Sequence, residues 1–137
     1  MDNAMPTVGM KPLLPENEEY AGIEDVAKRF SVTQRTLRFY EQRGLVTPDR
    51  VGRTRKYNEN QIRRLDYVLS QVRLGFTLTE IKERIDQTSG DDTPELTMRE
   101  VEEQLAILRR QQAKLLESLD ILVRLRQVLS VQLAPAN

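Results

Sequence analysis

No cysteine, histidine or tryptophan occurs anywhere in the 137 residues. Without a thiol there is no disulfide, no thiol redox switch and no thiolate metal site. Without an imidazole there is no histidine-based acid–base catalysis. Aromatics make up only 5% of the chain, so side chains able to fill a broad core are scarce. No apolar run approaches the ~20 residues of a membrane span. The N-terminus has no basic stretch followed by an apolar one, so no secretory signal is expected. A soluble, cytoplasmic chain follows as the expectation, with no metal, no cofactor and no catalytic residues. The acids Glu100, Glu102 and Glu103 read as solvated helix surface, with no nucleophile–base pair beside them.

Charge is present in quantity, and its total conceals its distribution. Lys and Arg number 21 and Asp and Glu number 21, a formal net of zero. Between Tyr20 and Gly75, however, 12 cations stand against 6 anions, while residues 1–19 and 76–137 each carry a net of −3. A basic module between acidic flanks suits a polyanionic partner, although a solvated charged surface has the same arithmetic.

Residues 1–19 hold three prolines and no periodicity and are read as a disordered extension. Ile23, Val26, Ala27 and Phe30 then share one face of a short helix. Thr33 is suited to cap a second helix from about Gln34 to Arg43, which Gly44 stops. Two short helices joined by a tight turn suggest a helix-turn-helix, though helical hairpins of other kinds share the spacing. Leu37 and Tyr40 face inward, whereas Gln34, Arg35, Arg38 and Arg43 point away, and Gln and Arg are the groups that reach base edges and phosphates in a major groove. The stretch Asp49–Tyr57 carries Arg50, Arg53, Arg55 and Lys56 around Gly52. It is expected to form a small basic β-hairpin, a wing that meets phosphates or the minor groove; a solvated loop is the plainer alternative.

Asn58 is placed to cap a third helix carrying Ile62, Leu65, Val68, Leu69 and Val72, and Gly75 to end it. Thr77 or Thr79 starts a fourth with Leu78, Ile81 and Ile85. Residues 89–96 read as a linker between a DNA-binding domain over 20–88 and one long helix over 97–133, free of Gly and internal Pro. In that helix Val101, Leu105, Leu108, Gln112, Leu115, Leu119, Leu122, Arg126 and Leu129 recur four and three apart, an a/d seam with Gln112 and Arg126 as polar interruptions. At 1.5 Å per residue the helix runs ~50 Å, longer than the small N-terminal unit could cover. A homodimeric coiled coil is therefore expected, its strand orientation left open by the heptads. The fold class is mainly α: a winged helix-turn-helix of four helices and a hairpin, followed by a coiled-coil helix.

The runs Ile23-Glu24-Asp25-Val26-Ala27 and Val32-Thr33-Gln34-Arg35-Thr36-Leu37-Arg38-Phe39-Tyr40-Glu41-Gln42-Arg43-Gly44-Leu45-Val46 resemble the MerR family. Arg55-Lys56-Tyr57, Ile62-Arg63-Arg64-Leu65 and Leu74-Gly75-Phe76-Thr77-Leu78-Thr79-Glu80-Ile81 continue the likeness in order, over about Tyr20 to Ile85. The resemblance implies a transcription regulator that binds a pseudo-palindromic promoter element in double-stranded DNA as a dimer, through an antiparallel coiled coil. It further implies DNA distortion that activates or represses transcription by RNA polymerase, with the protein on the nucleoid. By position, Gln34, Arg35 and Thr36 would enter the groove and Arg38 and Tyr40 would hold phosphates. Arg53, Arg55 and Tyr57 would anchor the wing, and Thr33, Arg43 and Lys56 complete the expected DNA-facing set. The family's metal sensors place cysteines at the end of the long helix and its drug sensors append an effector domain; this sequence has neither, so a short member without an effector domain is expected. A DNA-bending architectural or recombination-accessory protein is the alternative, and a coiled-coil adaptor a third.

Overall fold

Eight elements follow one another in the computed structural model, which describes residues 19–90 and 92–133: β1 (Ala21–Gly22), α1 (Ile23–Phe30), α2 (Gln34–Gln42), β2 (Asp49–Val51), β3 (Thr54–Tyr57), α3 (Glu59–Arg73), α4 (Leu78–Gln87) and α5 (Met98–Leu133). The described residues divide into two units between Glu95 and Leu96. The extension expected over residues 1–19 lies, Glu19 apart, outside the described residues. No helix among those residues is long and apolar enough to cross a membrane.

In the first unit the helix ends are set by local chemistry. The Thr33 hydroxyl accepts from the Thr36 N–H at 3.0 Å, and the Asn58 side chain from the Gln61 N–H at 2.8 Å. Thr77, not Thr79, starts α4, in a reciprocal box: Glu80 N–H donates to Thr77 Oγ1 at 3.1 Å and Thr77 N–H to Glu80 Oε2 at 2.9 Å. At the C-terminus of α2, Gly44 sits at φ +73°, its N–H reaching Glu41 O while Leu45 N–H reaches Tyr40 O. These paired bonds satisfy the last carbonyls and need a left-handed residue. Ser31 closes α1 with the same bond pattern at φ 55°, the one non-glycine among the described residues to adopt a positive φ.

The hairpin is real and acquires a partner that periodicity did not anticipate. β3 lies at the centre of an antiparallel sheet of order β1-β3-β2, with Ala21 opposite Tyr57 and Arg50 opposite Arg55. Gly52 and Arg53 form the two-residue loop, and Gly52 takes the positive φ required of the first central residue in a II′ arrangement. Val26, Leu37, Leu45, Tyr57, Leu65, Val68 and Ile81 form the solvent-free centre, so α1, α2, α3, α4 and the sheet share one core. Burying each such aliphatic side chain contributes about 1.5–3 kcal/mol.

One expected core position differs. Val72 is exposed, and Gln71 is fully buried in its stead. The Arg84 guanidinium on α4 donates to Gln71 Oε1 at 2.9 Å and lies 4.0 Å from the centre of the Phe76 ring. That pairing satisfies an amide whose burial would otherwise be costly, and it turns α3 so that a polar residue meets α4.

The second unit is α5. Thr97 and Glu100 exchange hydrogen bonds at its start, with Thr97 N–H to Glu100 Oε2 at 2.8 Å. Over its 36 residues no side chain is buried.

Candidate nucleic-acid interface

Helical geometry sorts α2 into two faces. Leu37 and Tyr40 enter the core; Arg35 and Arg38, 100° or more around the axis, are exposed. Gln34 and Thr36 are partly exposed, and Thr33 is exposed while capping the helix. Arg38 donates to Gln34 Oε1 at 3.3 Å, one turn earlier, which lines both side chains along the outer face. Arg35 carries no partner among the described residues, so a guanidinium stands free near the N-terminus of the helix, the end that approaches base edges in a major groove. Arg43 is exposed yet engaged: it donates to Thr79 Oγ1 at 3.1 Å and lies 5.9 Å from the Phe39 ring centre, tying the end of α2 to the start of α4.

In the hairpin, alternation decides which cations face outward. Arg53 occupies the exposed loop and Lys56 the opposite strand face from Arg55. Arg50 and Arg55 lie directly across from each other on one face, and Glu41 of α2 meets both: Arg55 Nε–H donates to Glu41 Oε2 at 2.5 Å, and Arg50 Nη2 is 3.5 Å from Glu41 Oε1. At the foot of β2, the Asp49 carboxylate beside Tyr20 holds the Tyr20 hydroxyl above its ordinary pKa.

Three residues of the expected contact set are thus engaged within the protein, Tyr40 on the inward face that its helix period assigns it. Tyr57 is wholly buried, its hydroxyl has no hydrogen-bond partner among the described residues, and burial, reinforced by Glu41, pushes its pKa up to about 12. It is a core residue under the sheet, because strand alternation turns it inward. Tyr40 is 7% exposed, and burial raises its pKa as well; little of it faces out. Arg55 is held by Glu41. Conversely, Glu41 carried no assigned role in the sequence, and Arg50 only that of one cation among the four of the wing. Glu41 lies four residues after Leu37 and so on the inner flank of α2, where a carboxylate needs a cation, and the wing is the cation-rich neighbour; that spacing was the available signal.

On α5 the seam positions Val101, Leu105, Leu115, Leu119, Leu122 and Leu129 are all exposed, from 38% at Val101 to 66% at Leu115. Leu108 is half-buried and Gln112 exposed along the same face. Arg99–Glu103 and Arg124–Asp120 pair one turn apart on the helix surface. Among the described residues no group of three or more metal-ligating side chains gathers.

A helix-turn-helix with an outward cationic helix and a basic wing defines a winged DNA-binding module. The family model for the MerR HTH family regulatory protein matches residues 22–88. The mercuric resistance operon regulatory protein of Pseudomonas fluorescens is 35% identical over 112 residues, which cover 76% of this chain and 78% of that protein. The HTH-type transcriptional regulator YfmP of Bacillus subtilis is 43% identical over 67 residues, 47% of this chain and 48% of that one. Among solved structures, a MerR-family transcriptional regulator from Bacillus cereus superposes with a TM-score of 0.71 at 21% identity, covering 85% of this chain and 87% of that chain. The regulator PbrR691 from Ralstonia metallidurans, solved with lead(II), gives 0.59 at 25%, covering 85% and 90%. The chain belongs to the MerR family and is a DNA-binding transcriptional regulator of that type. Its relatives are regulators, not enzymes.

Proposed function

We propose that the chain acts as a homodimer on a pseudo-palindromic promoter element, with α2 in the major groove and the wing on the flanking backbone. The observation that carries this reading is the outer face of α2, where Gln34, Arg35 and Arg38 line up beside a wing whose Arg53 is exposed. Thr36 sits at the groove edge, and Arg38, Arg53 and Lys56 take phosphates. Pairing uses Val101, Leu105, Leu108, Gln112, Leu115, Leu119, Leu122 and Leu129 in an antiparallel coiled coil, since a helix with no buried side chain and a largely apolar seam requires a partner. Residues 20–88 form the DNA-binding domain, 89–96 the link and 97–133 the dimerisation element. The dimer bends or untwists the promoter for RNA polymerase in the cytoplasm, a distortion that extra phosphate contacts offset. The mercury resistance in the names of relatives is theirs; the 137 residues here hold no cysteine to offer a soft metal a thiolate.

Selection of duplexes from a random pool by the purified protein tests the reading, followed by salt titration of Arg35→Ala and Arg53→Ala on the selected and on random DNA. Arg35→Ala is expected to lower the preference for the selected site by about 1–3 kcal/mol, and Arg53→Ala to weaken all duplexes alike. Enrichment of no motif with tight binding throughout would instead describe an architectural protein.

A further inference from the structure

Two arginines directly opposite each other on one face of a hairpin repel, and such a pair is disfavoured unless an anion lies over it. Arg50 and Arg55 are such a pair, and the anion is supplied by Glu41 of α2. Its carboxylate and the Arg55 guanidinium are each only 23% exposed, so their attraction is less screened than that of a surface pair. Arg50 is more open, at 54%. Arg53 and Lys56 carry no ion pair among the described residues and stand in the loop and on the opposite strand face.

We propose that Glu41 is a positioning and specificity-determining residue of the DNA interface: by holding Arg50 and Arg55 against α2 it fixes the wing to the groove-reading helix, and it leaves Arg53 and Lys56 as the wing's phosphate grip. This rests on the reading of α2 and the wing as the duplex-facing surface. The reasoning is electrostatic. A free guanidinium binds phosphate of any sequence, so every wing arginine released adds affinity for all DNA and none for the correct site. An acid on the helix that spends itself on two wing arginines holds that unselective term down while setting the angle between the two DNA-facing elements. Glu41 touches no base and acts through the arginines it holds.

The test is a salt titration of a fluorescein-labelled 30-base-pair duplex of random sequence, read by anisotropy, with wild type, Glu41→Gln and Glu41→Gln/Arg50→Ala. Each phosphate neutralised adds about 0.9 to the slope of log affinity against log salt. Glu41→Gln is therefore expected to steepen the slope by about 0.9–1.8 per subunit, twice that for the dimer, and to tighten random-duplex binding at least on the order of tenfold at 0.1 M salt. Removing Arg50 in addition should return part of that gain. A merely structural role for Glu41 would move affinity the other way, since a loosened wing weakens every contact. An unchanged or shallower slope in a Glu41→Gln protein of wild-type helicity overturns the proposal while leaving the DNA interface standing. A wild-type protein without salt-dependent binding removes the interface and the proposal with it. Should Glu41→Gln unfold, the wild-type protein answers by NMR: the Arg55 Nε–H resonance is expected to hold its position as random duplex is added while that of Arg53 shifts. An Arg55 resonance that moves with the duplex overturns the clasp.

Discussion

Replacing Leu115 with Asp is expected to dissociate the dimer, by an amount that follows from exposure and symmetry. Leu115 is 66% exposed on α5 and stands midway between Val101 and Leu129. In an antiparallel pair aligned on that seam, the two copies of residue 115 meet close to the twofold axis. Fully burying a leucine is worth about 1.5–3 kcal/mol, so covering two-thirds of it gives about 1–2 kcal/mol per copy. A carboxylate in its place adds a desolvation penalty of about 2 kcal/mol per copy, more where the two acids face each other. One substitution makes two lesions, about 6–8 kcal/mol in total, or roughly 10⁴- to 10⁶-fold in dissociation constant at 1.4 kcal/mol per decade. Light scattering at micromolar concentration reads the result: wild type at twice the 15.9 kDa chain mass, Leu115→Asp at the chain mass. Arg110→Asp, half a turn or more from the seam, serves as the control and should stay dimeric. A Leu115→Asp protein that remains a dimer refutes the seam, and a monomeric wild type refutes the pairing altogether.

Tyr57→Phe should stabilise the fold by about 1 kcal/mol at neutral pH, because the hydroxyl is buried without a partner among the described residues. Chemical denaturation reads the difference, and a destabilised Phe variant would show that the hydroxyl is bonded. The same residue sets an alkaline limit. Its folded pKa, about 12, lies above the ordinary tyrosine value of 10.0, so the neutral form is favoured in the fold. Its stabilising contribution is complete below pH 10 and is lost as pH rises from 10 towards 12. Tyr57→Phe should flatten that decline, and equal declines in both proteins would refute the assignment. Gly44→Ala should lower stability by about 1–2 kcal/mol, since φ +73° is left-handed and a Cβ there would come within 2.8 Å of Lys82 Cε. The lysine end can swing aside, so backbone strain dominates, and an unchanged melting temperature would contradict it.

The helices were legible in the sequence because their signals are local. Thr33, Asn58 and Thr77 each bond the backbone N–H three residues on, and Gly44 and Gly75 sit at the positive φ that closes a helix. The outer face of α2 was legible for a related reason: once Leu37 and Tyr40 are inward, a 3.6-residue period assigns Arg35 and Arg38 outward. Features fixed by pairing between distant segments were not. β1 is two residues long, too short for alternation to mark it, and exists because β3 offers an open edge. Tyr57 looked like a wing contact because the sequence gives an aromatic hydroxyl among cations without saying which strand face it occupies. Gln71 displaced Val72 from the core for the sake of an arginine 13 residues away on another helix. Glu41 escaped notice for the same cause: its partners lie 9 and 14 residues on, across a turn.

That distinction alters the meaning of the charge count. Twelve cations between Tyr20 and Gly75, each neutralising a phosphate, would give a salt slope of about −11 per subunit. Within α2 and the wing, however, Arg50 and Arg55 share Glu41, and Arg43 is bonded to Thr79. Behind them, Arg63 is near Glu59 at 3.9 Å and Arg64 donates to Gly90 O at 3.1 Å. Of the cations outside these contacts, Arg35, Arg38, Arg53 and Lys56 lie on the outer face of α2 and on the wing, and these four give a slope of about −3 to −4 per subunit at about 0.9 each. A smaller unselective term leaves base contacts a larger share of the binding energy. For a regulator that must find one promoter among many competing sites, it is the ratio between specific and random DNA that matters. The number of cations in a basic segment therefore bounds the grip on DNA, and their contacts within the protein set it.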